Sequence, residues 1–320
     1  MNEARTFLKI LAGAAAVIPA GLALILLAVD PYDRGHGIFP VRGTLENGPR
    51  TADASRGRDP SFNAAVIGNS HAQILSPDGL NAAAPGLAIV QLTVPGTGPR
   101  EHFAMLGWFA RSHGAGARAV VLGVDQNYCA VDTAMPLQHP FPFWLYDAGP
   151  LTYAANLFRA RALRSAARRL ILIAGRKPAV RPDGFWDYAG DYTRNDAWQK
   201  TAAAMRAPGY WNRSGQFPVA GLLAEKLRAL PSATRVILLV PPIFAVGLPA
   251  AGSADAAGER ACVAALERVA LGRPGTRAID MRQDNEATRA PLNFSDMTHC
   301  ARPLAQIAEG RIGAALRGME

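Results

Sequence analysis

Cysteine is scarce in this chain, and what there is does not suit a metal. Three cysteines occur in 320 residues, Cys129, Cys262 and Cys300, and none of their spacings resembles a zinc site. No stretch is low in complexity and no internal repeat is present, so solenoid and largely disordered architectures are set aside. Zinc-finger and helix-turn-helix patterns are also missing. The formal charge of +9, from 34 basic and 25 acidic residues, therefore points to anionic partners other than nucleic acid, such as membrane headgroups or acidic polysaccharide. No metal and no cofactor is expected.

Charge is absent from one long run. Ile10 to Val29, ILAGAAAVIPAGLALILLAV, holds 20 uncharged residues. As a helix it spans roughly 30 Å, the thickness of a hydrocarbon core. Arg5 and Lys9 precede it, and Asp30, Asp33 and Arg34 follow. The positive-inside rule then puts the N-terminus in the cytoplasm and the remainder outside. The alternative is a cleaved signal peptide, but its apolar region is usually shorter, and no small-x-small cleavage site closes this run. Pro19 is tolerable in a membrane helix. The expectation is a single-pass anchor in a bacterial inner membrane (residues 1–29), a polar tether (30–60) and a periplasmic domain (61–320).

The hydrophobic fraction of 49% is enough for one large α/β domain. Short apolar runs read as strands at Asn63–Gly68, Leu87–Thr93, Arg118–Val124, Thr234–Val240 and Thr276–Met281. Helical patterns fall at Pro99–Ser112, Ala256–Leu271 and Pro303–Arg317. Alternation of this kind predicts a parallel sheet covered on both faces. An interruption at residues 126–218 is too long for a crossover. It is rich in aromatics: Phe141, Phe143, Trp144, Tyr146, Phe185, Trp186, Tyr188, Tyr192, Trp198, Tyr210 and Trp211. It reads as an insertion over the mouth of the sheet, where open α/β sheets bind ligands.

Chemistry concentrates in two distant motifs. Val66-Ile67-Gly68-Asn69-Ser70-His71 puts a Ser at a strand-to-helix turn, and Asp296-Met297-Thr298-His299 puts a carboxylate three residues before a His. A Ser hydroxyl becomes a nucleophile when a base within hydrogen-bond reach takes its proton. His299 is the candidate base, with Asp296 as the group that orients it. The first motif is not the G-x-S-x-G elbow, because Ala72 stands where the last Gly should be, and a Ser after a strand is also a common helix N-cap.

The order Ser…Asp…His, with the last two only three apart, resembles SGNH/GDSL-type hydrolases over residues 60–125 and 234–317. The nearest branch is the membrane-anchored one that includes D-alanyl transfer proteins of teichoic acid systems and O-acetyltransferases of exopolysaccharide pathways. The resemblance implies a three-layer, flavodoxin-like α/β fold with Ser70 as nucleophile and Asp296 and His299 as its partners. It also implies an oxyanion site built from the Ser70 amide, Gly96 or Gly98, and Asn127. Two departures are plain. Asn69 replaces the family's Asp, and Gly123-Val124-Asp125-Gln126-Asn127 replaces its G-x-N-D block.

Other residues carry open alternatives. Asp125 is a pocket carboxylate for a sugar hydroxyl, a turn former, or a substitute for Asp296. Trp186 and Tyr188 suit stacking on sugar rings, or belong to the insertion's own core. His71 reads as a helix-start residue near the pocket; His102 and His113 read as structural. Cys129 follows a strand end and Cys300 follows His299, so these two are the expected disulfide if one forms, with Cys262 a small buried residue in a helix. Residues 159–181 hold eight cations and no acid; they form either a solvated helix with one buried face, a helix on anionic headgroups, or a groove for an anionic polymer.

These readings converge on a serine-dependent acyl esterase or O-acyltransferase for a small acyl group, acetyl above all. Its expected substrate is a cell-surface or exported polysaccharide, and its expected partners are membrane-bound acyl-transfer or export proteins. The alternatives are a non-catalytic glycan-binding component of an export complex, and a lipid-directed esterase.

Overall fold

The computed structural model describes residues 2–46, 48–188 and 212–319. Tyr192, Trp198, Tyr210 and Trp211, assigned above to the insertion, lie outside the described residues. The chain divides into two compact units, residues 1–55 with 142–179, and residues 56–141 with 180–320.

The larger unit is built on five parallel strands: β1 (Ala64–Gly68), β2 (Ile89–Thr93), β3 (Ala119–Gly123), β4 (Arg235–Val240) and β5 (Thr276–Asp280), in the order β2-β1-β3-β4-β5. That is a doubly wound order, reversing direction between β1 and β3. The register pairs Ile67 with Leu92 on one side and with Leu122 on the other. β1 to β4 are buried throughout, except for the half-buried Gly123 at the end of β3. This is why they read as apolar runs rather than as alternations. β5, at one edge, carries Arg277 and Asp280 and is only partly buried.

Alternate residues serve opposite faces. Ala64, Val66, Ile89, Ala119, Val121, Ile237 and Leu239 share a core with Leu80 of α4 (Pro77–Ala83) and with Leu304, Ala308, Ile312 and Leu316 of α11 (Arg302–Arg317). Ile67, Leu92, Leu122 and Leu238 face the other way. That side holds α5 (Pro99–His113), α8 (Pro218–Arg228) and α9 (Ala254–Leu271), which pack on one another and on β1, β4 and β5. Two short helices, α3 (Ser70–Gln73) and α10 (Glu286–Arg289), also belong to this unit.

The smaller unit contains α1 (Asn2–Val29), α2 (Pro49–Arg56, its last residue falling in the larger unit), α6 (Pro150–Asn156) and α7 (Ala160–Ile173). α1 is long and apolar enough to cross a membrane. The stretch expected to be a tether is folded here. Buried Asp30 accepts hydrogen bonds from the Arg34, Gly35 and His36 amides and from the Tyr153 hydroxyl. Buried Asp33 pairs with Arg169 at 3.2 Å and accepts from Ser55 Oγ at 2.7 Å. Composition marked residues 30–60 as polar, but these acids satisfy backbone donors and the arginine of α7, which lets them be buried. The insertion is likewise divided, since residues 142–179 belong with the N-terminal segment.

The expected Cys129–Cys300 pair does not form. Cys129 is joined to Cys262, with Cα atoms 5.6 Å apart. Cys129 ends a 3-10 turn, Gln126–Cys129, that packs against α8 and α9, and Cys262 is on α9. Cys300 points instead into the core shared with α11. It is a free, buried thiol whose pKa burial pushes up to about 12. Under non-reducing conditions Cys300 should therefore be alkylated only after denaturation. The disulfide closes a loop spanning 133 positions, and its reduction should cost about 2–5 kcal/mol of stability. Denaturant titrations with and without reductant measure this.

Candidate active site

The loops after the strands meet at the carboxyl edge of the sheet. Ser70 opens α3 immediately beyond β1. Asn69 is its N-cap, with its side chain accepting from the His71 amide at 3.1 Å. The turn is pressed onto the sheet. A Cβ on Gly68 would lie 2.8 Å from Ala72 Cβ, and one on Gly123 would lie 3.0 Å from it, so both strand ends need glycine for α3 to sit this close. Buried Gln91 holds the far end of the turn, donating from Nε2 to the Gln73 and Leu75 carbonyls at 2.6 and 2.9 Å.

Asp296 and His299 lie on a loop closed upon itself. The Ser295 amide donates to His299 O at 2.8 Å, the Ala301 amide donates to Asn293 O at 2.7 Å, and Phe294 and Cys300 form an antiparallel bridge. Phe294 and Cys300 are buried anchors on either side of His299. α11 then fastens this loop to the Ser70 segment. Arg302 Nη1 donates to Ile74 O at 2.6 Å and to Glu309 Oε1 at 2.7 Å, while Glu309 Oε1 accepts from the Ser76 amide at 2.7 Å.

The result is a continuous chain of hydrogen bonds across 229 positions of sequence. His299 Nε2 lies 2.8 Å from Ser70 Oγ, and His299 Nδ1 lies 2.8 Å from Asp296 Oδ2. With an ionised carboxylate at Nδ1, the ring proton sits there, and Nε2 is free to accept from the Ser70 hydroxyl. Burial alone would raise the Asp296 pKa. Hydrogen bonding and charge interaction with His299, and the Thr298 and His299 amides, outweigh it and bring the carboxyl down to about 2. Asp296 thus stays ionised at neutral pH. Its contribution to stability is present above the ordinary carboxyl pKa of 3.8 and is lost as pH falls through about 2.

The candidate oxyanion donors separate. The Ser70 and Gly96 amides make no hydrogen bond with the described residues. Gly96 adopts φ +65°, and a Cβ there would meet the His139 ring at 3.0 Å. The Gly98 amide is committed to Glu101 Oε2 at 3.1 Å, closing the N-terminus of α5. The Asn127 amide is held by Asp125 Oδ1 at 2.9 Å. Gly98 and Asn127 instead line a cleft of about 290 Å³ together with Pro99, Glu101, Asp132 and Gln138.

Asp125 is a turn former. It caps the 3-10 turn after β3 and accepts from Asn69 Nδ2 at 2.8 Å, so it ties the β1 and β3 loops together. Asp296, rather than Asp125, holds the His299 ring. His71 stacks against His299 with ring centroids 5.1 Å apart, and its Nδ1 lies 3.9 Å from Asp125 without a hydrogen bond. Burial holds its pKa below the usual value, although the Asp125 charge opposes this. Tyr188 meets the His299 ring edge-on at 5.6 Å and donates to Cys300 O at 3.1 Å, whereas Trp186 is 53% exposed at the surface.

No family model matches the chain, and no curated protein matches it. The site therefore stands on its own geometry.

One contributor escaped the sequence reading except as a structural residue. His102 is wholly buried between Thr97 and Tyr128. Thr97 Oγ1 spends its single proton on Val94 O at 2.6 Å, so His102 Nε2–H must donate to Thr97 at 3.0 Å and Nδ1 must accept from the Tyr128 hydroxyl at 2.8 Å. The network braces the loop that carries Gly96. It requires a neutral imidazole, and burial lowers the His102 pKa to about 4. A depressed histidine contributes stability that is present above its unfolded pKa of 6.5 and lost as pH falls toward 4. Between pH 7 and pH 4 the fold should lose up to about 3 kcal/mol by this route. A His102→Gln variant should lack most of that slope, as read by denaturant unfolding at each pH.

Proposed function

We propose that this protein is a serine-dependent acyl esterase or O-acyltransferase, of SGNH type, working through an acyl-serine intermediate. The observation that carries the reading is the Ser70–His299–Asp296 hydrogen-bond chain, with both links at 2.8 Å. Its placement supports the reading, since the three side chains gather at the carboxyl ends of a doubly wound parallel sheet.

In this mechanism His299 Nε2 takes the Ser70 proton as Oγ attacks an ester carbonyl. Asp296 steadies the imidazolium. The Ser70 and Gly96 amides, without a partner among the described residues, suit the oxygen that becomes negative in the tetrahedral intermediate, a role typically contributing about 2.7–4 kcal/mol for each donor. His299 then returns the proton to the leaving alcohol. In the second half, water or a sugar hydroxyl gives up its proton to His299 and attacks the acyl-serine, which regenerates Ser70. The proposed substrate is an acylated polysaccharide, with acetyl as the proposed acyl group. The protein is proposed to be held at the periplasmic face of an inner membrane by α1, alongside membrane-bound acyl-transfer or export proteins.

A fluorophosphonate probe tests the chemistry. Labelling should map to Ser70 and vanish in Ser70→Ala. His299→Ala and Asp296→Asn should each slow labelling, and hydrolysis of short aryl esters, by about 10³–10⁴-fold with the fold intact. Absence of labelling in the native protein, with polysaccharide binding retained, would replace the enzyme with a non-catalytic glycan-binding protein.

A further inference from the structure

Helix α7 buries one side and leaves an apolar strip in water. Ala162, Ser165, Ala166, Arg169 and Leu172 are buried. Its rotation is locked by Arg169, which pairs with Asp33 and donates to the Val41 and Gly43 carbonyls, and by Ser165 Oγ, which donates to Glu46 at 2.8 Å. At 3.6 residues per turn the exposed surface then splits into two sectors. One holds Leu163, Leu170 and Ile171, each 45 or 46% exposed, with Ala160, Ala167 and Ala174 among them. The other, directly beside it, holds exposed Arg161 and Arg164, together with Arg168, whose guanidinium pairs with Glu46 at 3.3 Å. Exposed Phe158 and Arg159 precede the helix, exposed Arg176 and Lys177 follow it, and no acid occurs from 159 to 181.

A solvated surface helix presents polar residues opposite its core. Three large aliphatics in one outward sector, flanked by a row of arginines, match a helix lying in the plane of a bilayer interface. The neighbouring element fits that placement. α1 touches α7. The apolar residues of α1 are exposed from Phe7 to Ala20 and again at Leu24 and Ile25, and its buried positions, Leu26 and Val29, fall at its C-terminal end, where the chain leaves the apolar run.

We propose that α7 lies in the headgroup layer of the bilayer that α1 enters, with Leu163, Leu170 and Ile171 at the acyl boundary and Arg161 and Arg164 on anionic lipid phosphates. The inference rests on α1 being a membrane anchor and is independent of the chemistry at Ser70. α7 is then a second membrane contact, and it fixes the orientation of the small unit relative to the bilayer, which a single spanning helix leaves free to rotate.

The test uses the full chain in lipid nanodiscs, with an environment-sensitive fluorophore on Ile171→Cys or on Val17→Cys and spin-labelled lipids as quenchers. Cys300 is buried and Cys129 and Cys262 are paired, so the introduced thiol takes the label. The expected result is quenching at both positions, with position 171 responding to quenchers near the headgroup and more strongly when phosphatidylglycerol is present. Arg161→Gln and Arg164→Gln should each weaken the contact at position 171 by about fivefold per charge removed. Quenching at 17 without quenching at 171 overturns the inference and leaves the anchor. Absence of quenching at both positions overturns the anchor and the inference with it. Quenching at 171 that is indifferent to lipid charge and to the arginines overturns the headgroup recognition. A fluorescence response at 171 to a soluble acidic polysaccharide but not to lipid makes the face a polymer groove instead.

Discussion

Glu309 is a buried carboxylate on the last helix, and the site depends on how its charge is satisfied. Arg302, about two turns earlier on the same face of that helix, lies 2.7 Å from it, and the Ser76 amide lies at the same distance. Arg302 reaches on to the Ile74 carbonyl. Removing one partner of a buried pair leaves an uncompensated charge in low dielectric, which is strongly unfavourable. The pair therefore acts as a clasp between the segment that follows Ser70 and the helix that follows His299. Apolar burial brings α4 and α11 onto the same face of the sheet, but it is non-directional. The clasp has direction, and it sets their relative position along the sheet edge to within hydrogen-bonding reach.

The same economy of polar groups recurs around the site. Asp125 connects the β1 and β3 loops through Asn69, His102 connects the β2 and β3 loops through Thr97 and Tyr128, and Gln91 holds the end of α3. Each is buried and hydrogen-bonded, which makes the surround of Ser70 stiff as well as stable. In the proposed acyl transfer, such stiffness keeps the Ser70 and Gly96 amides aimed where negative charge develops, without reorganisation during the reaction. The smaller unit uses the same device, since Asp30 and Asp33 fold a polar stretch by accepting several backbone and side-chain donors each.

Much of the architecture was legible in the sequence because parallel strands buried on both faces are written as short apolar runs. The five expected strands and the helices ending near His113, Leu271 and Arg317 all appear within a few residues of their expected bounds. The Ser70 and Asp296–His299 motifs were legible as candidates for one site because of their residue types and order, and the structure brings them within hydrogen-bonding distance. The disulfide was misassigned for a reason local pattern cannot reach. Cys129 and Cys300 both follow strand-edge loops, but the 3-10 turn of Cys129 folds toward α9, and the side chain of Cys300 turns into the core on the opposite face. The partners of Asp30 and Asp33 were not legible, because composition reports polarity, and polarity does not say whether each polar group has a partner.

By itself the sequence determined the element types, the parallel sheet and the apolar N-terminal helix, and it singled out Ser70, Asp296 and His299 as candidate groups. These follow from periodicity, run length and side-chain type, which are local properties. Only the tertiary structure decided that Ser70 Oγ and His299 Nε2 stand 2.8 Å apart, that Asp296 rather than Asp125 orients the ring, that Cys262 rather than Cys300 receives Cys129, and that α7 turns leucines outward. Each of these depends on directional contacts between residues far apart in the chain, and such contacts exist only once packing has brought their partners together.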